Sequence, residues 1–264
     1  RRYSSSRFDE RRGKMEDKVV EYYSKFKEIY TKENYPEWFN FLKDHNKQFG
    51  KEGYSSKEHE LKHFAILQNP IPLECKIILV GKNNSWFDEG DMKNSLKIVK
   101  SLKHGIPSEN YLTKKTSRYS KQLHEIFKGP QLNSLFRENT LGMNRIWLQT
   151  GPSSKNIEKM KEPRLNAPFE EVISGSSLVD KCHQWTKEII RIINPKVLIL
   201  FGNSGDSNCA WKLFNEGDDG EPFVIKHCSH PGNRMADGKN KVRDQIKEAW
   251  EAYKNKDIKF KGNI

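Results

Sequence analysis

Four short stretches of this chain carry residues whose types and spacing suit chemistry on a small polar ligand. Gly81-Lys82-Asn83-Asn84-Ser85-Trp86-Phe87 joins a glycine that permits a tight turn to Asn83, whose carboxamide both accepts and donates and so can hold a water molecule. Trp86 and Phe87 add flat faces on which a base can stack, although Asn-Asn-Ser taken alone is more often a plain turn. Gly142-Met143-Asn144-Arg145 presents a second carboxamide at Asn144, either aimed into a pocket or opening a strand. Gly202-Asn203-Ser204-Gly205 suits a phosphate at a helix N-terminus, but without Gly-Lys-Ser/Thr it is no P-loop and serves as well for a short βα connection. In the fourth stretch, Lys226 to Met235, His230 is fixed by Pro231 and is placed to hydrogen-bond a developing oxyanion. His227, Cys228 and His230 lack a fourth ligand at workable spacing, so no metal is expected there.

These stretches adjoin short apolar runs: 76–80, 146–148, 196–201 and 223–225. Continuous β-branched runs without alternation predict strands buried on both faces, hence a parallel sheet whose ligand site lies beyond the strand carboxyl ends. Between the runs the pattern is helical, most clearly over 177–193, where Val179, Cys182, Trp185, Ile189 and Ile193 form one stripe, and again over 237–253. Ahead of the sheet, helices are predicted from Met15 to Tyr30, from Pro36 onward, and from Lys57 to Leu67, ending at Asn69-Pro70-Ile71-Pro72. The expected architecture is a three-layer α/β/α sandwich with a central four-stranded parallel sheet, preceded by N-terminal helices. It divides into a flexible basic N-terminus (1–14), a helical lobe packed on the core (15–69) and an α/β domain (70–264).

At 264 residues the chain can bury a real core without disulfide or metal staples, and its net charge of +12 favours a polyanionic partner. Aromatic residues make up 11%, too many for a disordered basic tail, so the charge decorates a folded surface. Residues 91–128 concentrate it, with nine Lys or Arg against three acids. That segment reads either as a solvated lysine-rich face or, from its place after the first strand, as a phosphate-binding surface. No apolar run approaches a membrane span or a signal peptide, so a soluble cytoplasmic protein is expected. Four scattered cysteines predict buried thiols rather than a disulfide framework.

The Gly-x-Asn closing the first strand, the Asn beside the second, Pro195-Lys-Val-Leu-Ile-Leu-Phe-Gly202 and the His230-Pro231 turn together resemble the uracil-DNA glycosylase superfamily over about residues 70 to 250. The resemblance implies a DNA partner, a monomer, and no cofactor. It makes Asn83 the residue that positions the attacking water, Phe87 or Trp86 the aromatic that stacks on the flipped base, and Asn144 the base-reading asparagine. His230 then donates to the pyrimidine O2 as negative charge builds on the leaving base, and Arg234 is the wedge that fills the hole left in the duplex. Phosphate contacts would come from Ser204, Lys114, Lys115 and the 232–233 turn. Asn84 stands where the family has proline, and Gly232-Asn233 where it has Ser-Pro, so both loops lose rigidity or a phosphate contact.

Such chemistry needs a held water and electrostatic stabilisation more than a strong base. Small Ser85 occupies the place where strict uracil enzymes carry a bulky aromatic, and Gly232 is small too, so a large 5-substituent would be tolerated. A 5-substituted cytosine, of the kind found in some phage DNA, is the favoured target, with uracil or mismatch repair as the alternative. Two other readings stand beside it. One is a catalytically silent DNA-binding module of the same fold. The other is a glycosylase-lyase using Lys82 as an amine nucleophile, which its neighbouring position disfavours. Asp88, Glu89 and Asp91 read as capping or loop-solvating acids before they read as a general base.

Overall fold

The run Ile77-Ile-Leu-Val-Gly81 forms strand β1, every residue buried, at the middle of a mixed α/β fold. The computed structural model describes residues 3–29, 65–81, 102–103, 105–115, 118–145, 147, 178–202, 224–228 and 238–255. In chain order the elements are α1 (Tyr3–Ile29), β1 (Ile77–Gly81), the short pair β2 (Leu102–Lys103) and β3 (Ile106–Pro107), α2 (Arg118–Ile126), α3 (Pro130–Glu138), β4 (Thr140–Asn144), α4 (Leu178–Ile193), β5 (Val197–Phe201), β6 (Val224–Cys228) and α5 (Gly238–Lys254). The main strands pair in parallel in the order β4-β1-β5-β6, so the direction of winding reverses at β1. By the geometry of open parallel sheets, the crevice at such a reversal, between the carboxyl ends of β1 and β5, is where a ligand fits.

Side chains alternate across the strands. Ile77, Leu79, Val197, Ile199 and Phe201 join Leu123, Ile126, Leu132, Phe136, Val242, Ile246 and Trp250 of α2, α3 and α5, with Phe127 just after α2, in one apolar cluster. Ile78, Val80, Leu198 and Leu200 are equally buried and point to the opposite face. Helix α1 packs on α4 through Met15, Val19, Tyr22 and Phe26, which recur at helical spacing and are all buried. The Tyr22 ring stacks on Trp185 at 4.9 Å, and its hydroxyl donates to Glu188. Burial, with that carboxylate beside it, pushes the Tyr22 hydroxyl well above its usual range.

Four expectations are corrected. The second strand is Thr140–Asn144, ahead of the expected 146–148, of which Trp147 alone is described: it is fully buried against Phe26 and Trp185, at 5.5 and 5.4 Å, and donates through Nε1 to Thr186 Oγ1 at 3.1 Å. The expected helix to Leu67 is not helical at 65–67, because the backbone there bonds to β4 and its flank: Ala65 N–H to the Trp147 carbonyl, Gln68 N–H to that of Gly142, and Asn144 N–H to that of Ile66. This strap covers the open edge of β4, which a bare edge strand would leave unpaired. Finally, α1 starts at Tyr3, within the segment expected to be a flexible arm, with Lys14–Glu10 and Arg12–Glu16 pairs at i,i+4 spacing supporting its first turns. Strand β6 also runs further than expected, through His227 to Cys228.

Cys75, Cys182 and Cys228 are in no disulfide, and burial pushes the Cys75 thiol up to about 12. No helix among the described residues is long and apolar enough to cross a membrane.

Candidate functional site at the carboxyl edge of the sheet

The four stretches singled out in the sequence start from one edge of the structure. Gly81 and Asn144, the last residues of β1 and β4, are register partners, and Phe201 and Cys228, the last of β5 and β6, are another pair. Two hydrogen bonds close the edge: Arg145 N–H to the Gly81 carbonyl at 2.9 Å and Gly202 N–H to the Cys228 carbonyl at 3.0 Å. Gly202 has φ 145°, a backbone that side-chain-bearing residues seldom adopt, so the chain leaves β5 through a turn only glycine takes easily.

Of the expected site residues, Asn144, Lys114 and Lys115 are described. Asn83, Ser85, Trp86, Phe87, Ser204, His230, Gly232, Asn233 and Arg234 lie outside the described residues, and in sequence Asn83, Ser204 and His230 each follow the last residue described in β1, after β5 or in β6 by two. Asn144 ends its strand rather than starting one, which puts its carboxamide at the ligand edge. It is fully buried and held at three points: its N–H by the Ile66 carbonyl at 3.2 Å, its carbonyl by the Thr186 hydroxyl at 3.4 Å, and its Oδ1 by Gln68 Nε2 at 2.9 Å. Among the described residues its Nδ2 has no partner, and neither has Gln68 Oε1. Leaving a buried donor unpaired costs about 1–3 kcal/mol, a cost that a ligand or a solvent molecule bonding it would recover.

Two glycines make room for this amide pair. A Cβ on Gly142 would stand 2.8 Å from Gln68 Oε1 and 2.8 Å from Leu112 Cδ1, and one on Gly81 would stand 3.3 Å from Asn144 Oδ1. Gly142→Ala is therefore expected to destabilise the fold by about 1–3 kcal/mol through overpacking, measured by urea denaturation, because the Leu112 side chain is itself buried and has little space to retreat. Asn69 locks the strap beside the pair: its Oδ1 accepts from Gly142 N–H at 2.7 Å and its Nδ2 donates to the Thr140 carbonyl at 2.9 Å.

Sequence reasoning passed over Gln68, Asn69 and the buried Arg145. The available signal was a pair of amide side chains directly after the apolar Ala65-Ile66-Leu67 and before Pro70, where a helix reading treats them as exposed punctuation. Within the apolar cluster Tyr119 meets Phe201 edge-on at 6.5 Å, and burial pushes its hydroxyl well above the usual range, so it stays neutral. Lys114 and Lys115 are exposed, and Lys114 is engaged by Glu109 while lying 5.6 Å over the Tyr111 ring. Among the described residues no cluster of His, Cys, Asp and Glu could hold a metal ion. No family model and no curated protein matches this chain.

Proposed function

We propose that this chain is a monofunctional DNA glycosylase that flips a 5-substituted or deaminated pyrimidine out of DNA and hydrolyses its N-glycosidic bond, leaving an abasic site. The observation that carries the reading is the Asn144 carboxamide, buried at the carboxyl edge beside Gly81 with one donor unspent. A fixed amide is the group that recognises the polar edge of a flat heterocycle, since it offers a donor and an acceptor in one plane. The stretch beginning at Gly81 supplies Asn83 to hold water and Trp86 or Phe87 to stack on the base, with Ser85 leaving space for a 5-substituent. The stretch after Cys228 supplies His230 to bond the leaving base, Arg234 as wedge, and Gly232 and Asn233 near the phosphates. Ser204, Lys114 and Lys115 add backbone contacts, and the net charge of +12 supports a DNA partner. We further propose a monomer with three layers, α1 and α4 lying against one face of four parallel strands and α2, α3 and α5 against the other.

Base flipping costs a few kcal/mol, which stacking, the wedge and phosphate contacts offset. Purified protein is expected to generate abasic sites in DNA carrying one of uracil, mismatched thymine, 5-hydroxymethyluracil, 5-hydroxymethylcytosine or glycosylated cytosine. Silence on every substrate, alongside salt-dependent DNA binding, would instead identify a binding module, a reading that Asn84 and Gly232-Asn233 favour as departures from the family pattern. The two lysines make a separate prediction. Lys115→Ala is expected to lower the slope of log affinity against log salt by about 0.9, the value for one lost phosphate contact on duplex DNA. Lys114→Ala should change it less, because Glu109 already neutralises that charge.

A further inference from the structure

We infer that Gln68 and Asn144 turn together as a two-state unit, so that the base site accepts 4-keto and 4-amino pyrimidines alike. The inference rests on the proposed base-reading role of Asn144 and adds the substrate class. The two side chains share one hydrogen bond, from Gln68 Nε2 to Asn144 Oδ1 at 2.9 Å, and both residues are buried. That leaves one donor, Asn144 Nδ2, and one acceptor, Gln68 Oε1, without partners among the described residues. The oxygen and nitrogen ends of a carboxamide have nearly the same size, and a half-turn about the last side-chain torsion exchanges them within one plane. Turning Asn144 alone sets two amino groups against each other; turning Gln68 alone sets two oxygens together. Either mismatch loses the bond where bulk water does not replace it. Turning both restores it with the roles exchanged: Asn144 Nδ2 donates to Gln68 Oε1, and the unspent atoms become Asn144 Oδ1 and Gln68 Nε2. The count of bonds is the same in both arrangements.

The frame around the pair holds backbone rather than amide ends. Gln68 N–H donates to the Gly142 carbonyl at 2.8 Å, Asn144 N–H to the Ile66 carbonyl at 3.2 Å, and the Thr186 hydroxyl to the Asn144 carbonyl at 3.4 Å. Asn69, next to Gln68, pins the strap to β4 at Gly142 and Thr140. The space at the amide ends is shaped by glycines. A Cβ on Gly142 would stand 2.8 Å from Gln68 Oε1 and 2.8 Å from Leu112 Cδ1, and one on Gly81 would stand 3.3 Å from Asn144 Oδ1. Glycine hydrogens and a leucine methyl neither donate nor accept a conventional hydrogen bond, so they do not distinguish an oxygen from an amino group. With the two arrangements of similar energy, a ligand that needs either one loses only about two-fold in affinity to selecting it. A 4-keto oxygen accepts from Nδ2 in one arrangement, and a 4-amino group donates to Oδ1 in the other. An amide locked in one orientation would set like against like for one of the two bases and reject it.

Binding rather than base release is the test, because uracil-type and cytosine-type bases differ as leaving groups. Two duplexes carry 5-hydroxymethyluracil or 5-hydroxymethylcytosine as 2′-fluoroarabino nucleotides, whose glycosidic bonds resist hydrolysis, each opposite an abasic analogue so that neither base is paired. A third duplex has abasic analogues on both strands. Wild type is expected to bind both bases more tightly than the third duplex, with dissociation constants within about three-fold of each other. In Gln68→Glu at alkaline pH the ionised carboxylate accepts from Nδ2 and leaves Oδ1 to the base. That variant is expected to favour the amino base by about ten-fold or more, the discrimination one mispaired buried group supplies, whereas loss of a merely structural Gln68 would weaken both bases equally. A larger preference in wild type, a ratio unmoved in Gln68→Glu at unchanged melting temperature, or no gain over the third duplex for either base overturns the inference. A second readout needs no variant. In 15N-labelled wild-type protein the Gln68 side-chain amide proton that bonds Asn144 should move downfield with millimolar free 5-hydroxymethyluracil and upfield with 5-hydroxymethylcytosine, as Gln68 donates to Asn144 or ceases to. Shifts in one direction for both bases, or with fewer than both, overturn the inference. The glycosylase reading stands or falls separately, on release of base from DNA. Equal affinity for both bases in a protein that releases neither sinks that reading and leaves the amide pair standing.

Discussion

On the proposed function, Asn83→Ala and His230→Ala are each expected to lower base release by about 100- to 1,000-fold while DNA affinity and melting temperature stay at wild-type values. The size follows from the chemistry. Breaking an N-glycosidic bond builds positive charge on the sugar and negative charge on the departing base, and the proposed site brings no strong base to the reaction. The rate then depends on a water held by one carboxamide and on a donor aimed at the anion, and removing one such donor from a preorganised site costs about that much. The unchanged affinity is the discriminating part, since the proposed function assigns binding to lysines, the wedge and the phosphate contacts rather than to these two side chains. Single-turnover assays of abasic-site formation, paired with binding isotherms at fixed salt, check both halves. Release that falls less than ten-fold in both variants, or that falls together with affinity, would falsify their assignment as the water-holding and anion-binding residues.

Trp147→Ala is expected to lower stability by about 3–5 kcal/mol, the loss typical of emptying a fully buried aromatic site. The indole lies within 6.4 Å of the Tyr22 ring as well as against Phe26 and Trp185, so its removal leaves a hole between α1 and α4 that these three rings cannot all close. It also strips a donor from Thr186 Oγ1, the hydroxyl that supports the Asn144 carbonyl. Two measurements follow: a lower midpoint in urea denaturation, and earlier proteolysis within α1 than in wild type. Trp147→Phe should retain most of the packing and lose mainly the hydrogen bond, about 1 kcal/mol. If Trp147→Ala costs under 1 kcal/mol, α1 is not anchored through this cluster.

Much of the scaffold was legible because burial leaves a mark on composition. Ile77 to Val80 and Val197 to Phe201 are unbroken apolar runs, and a strand covered on both faces needs nothing else to be recognised. The stripe of α4 and the spacing of Met15, Val19, Tyr22 and Phe26 in α1 were equally plain. Thr140–Asn144 was missed for a physical reason: it ends in polar residues and carries Gly142, which serves the amide pair and weakens the strand signal. Its neighbour Trp147 looked more strand-like because an aromatic buried between helices and one buried in a sheet have the same hydrophobicity. Asn144 was singled out as a chemical group, but its place at the end of the strand, rather than the start, came from the register with Gly81.

By itself, then, the sequence determined what local pattern and composition dictate: the buried strands, the amphipathic helices, an excess of positive charge and four stretches rich in polar side chains. Only the tertiary structure decided the strand order, the common edge from which those loops depart, and the pairing of Gln68 with Asn144. That last contact joins residues 76 positions apart through a strap whose backbone hydrogen bonds are made to β4 instead of within a helix. No local propensity encodes such a choice, because the strap gains its partners only once β4 has joined the sheet and left its edge unpaired.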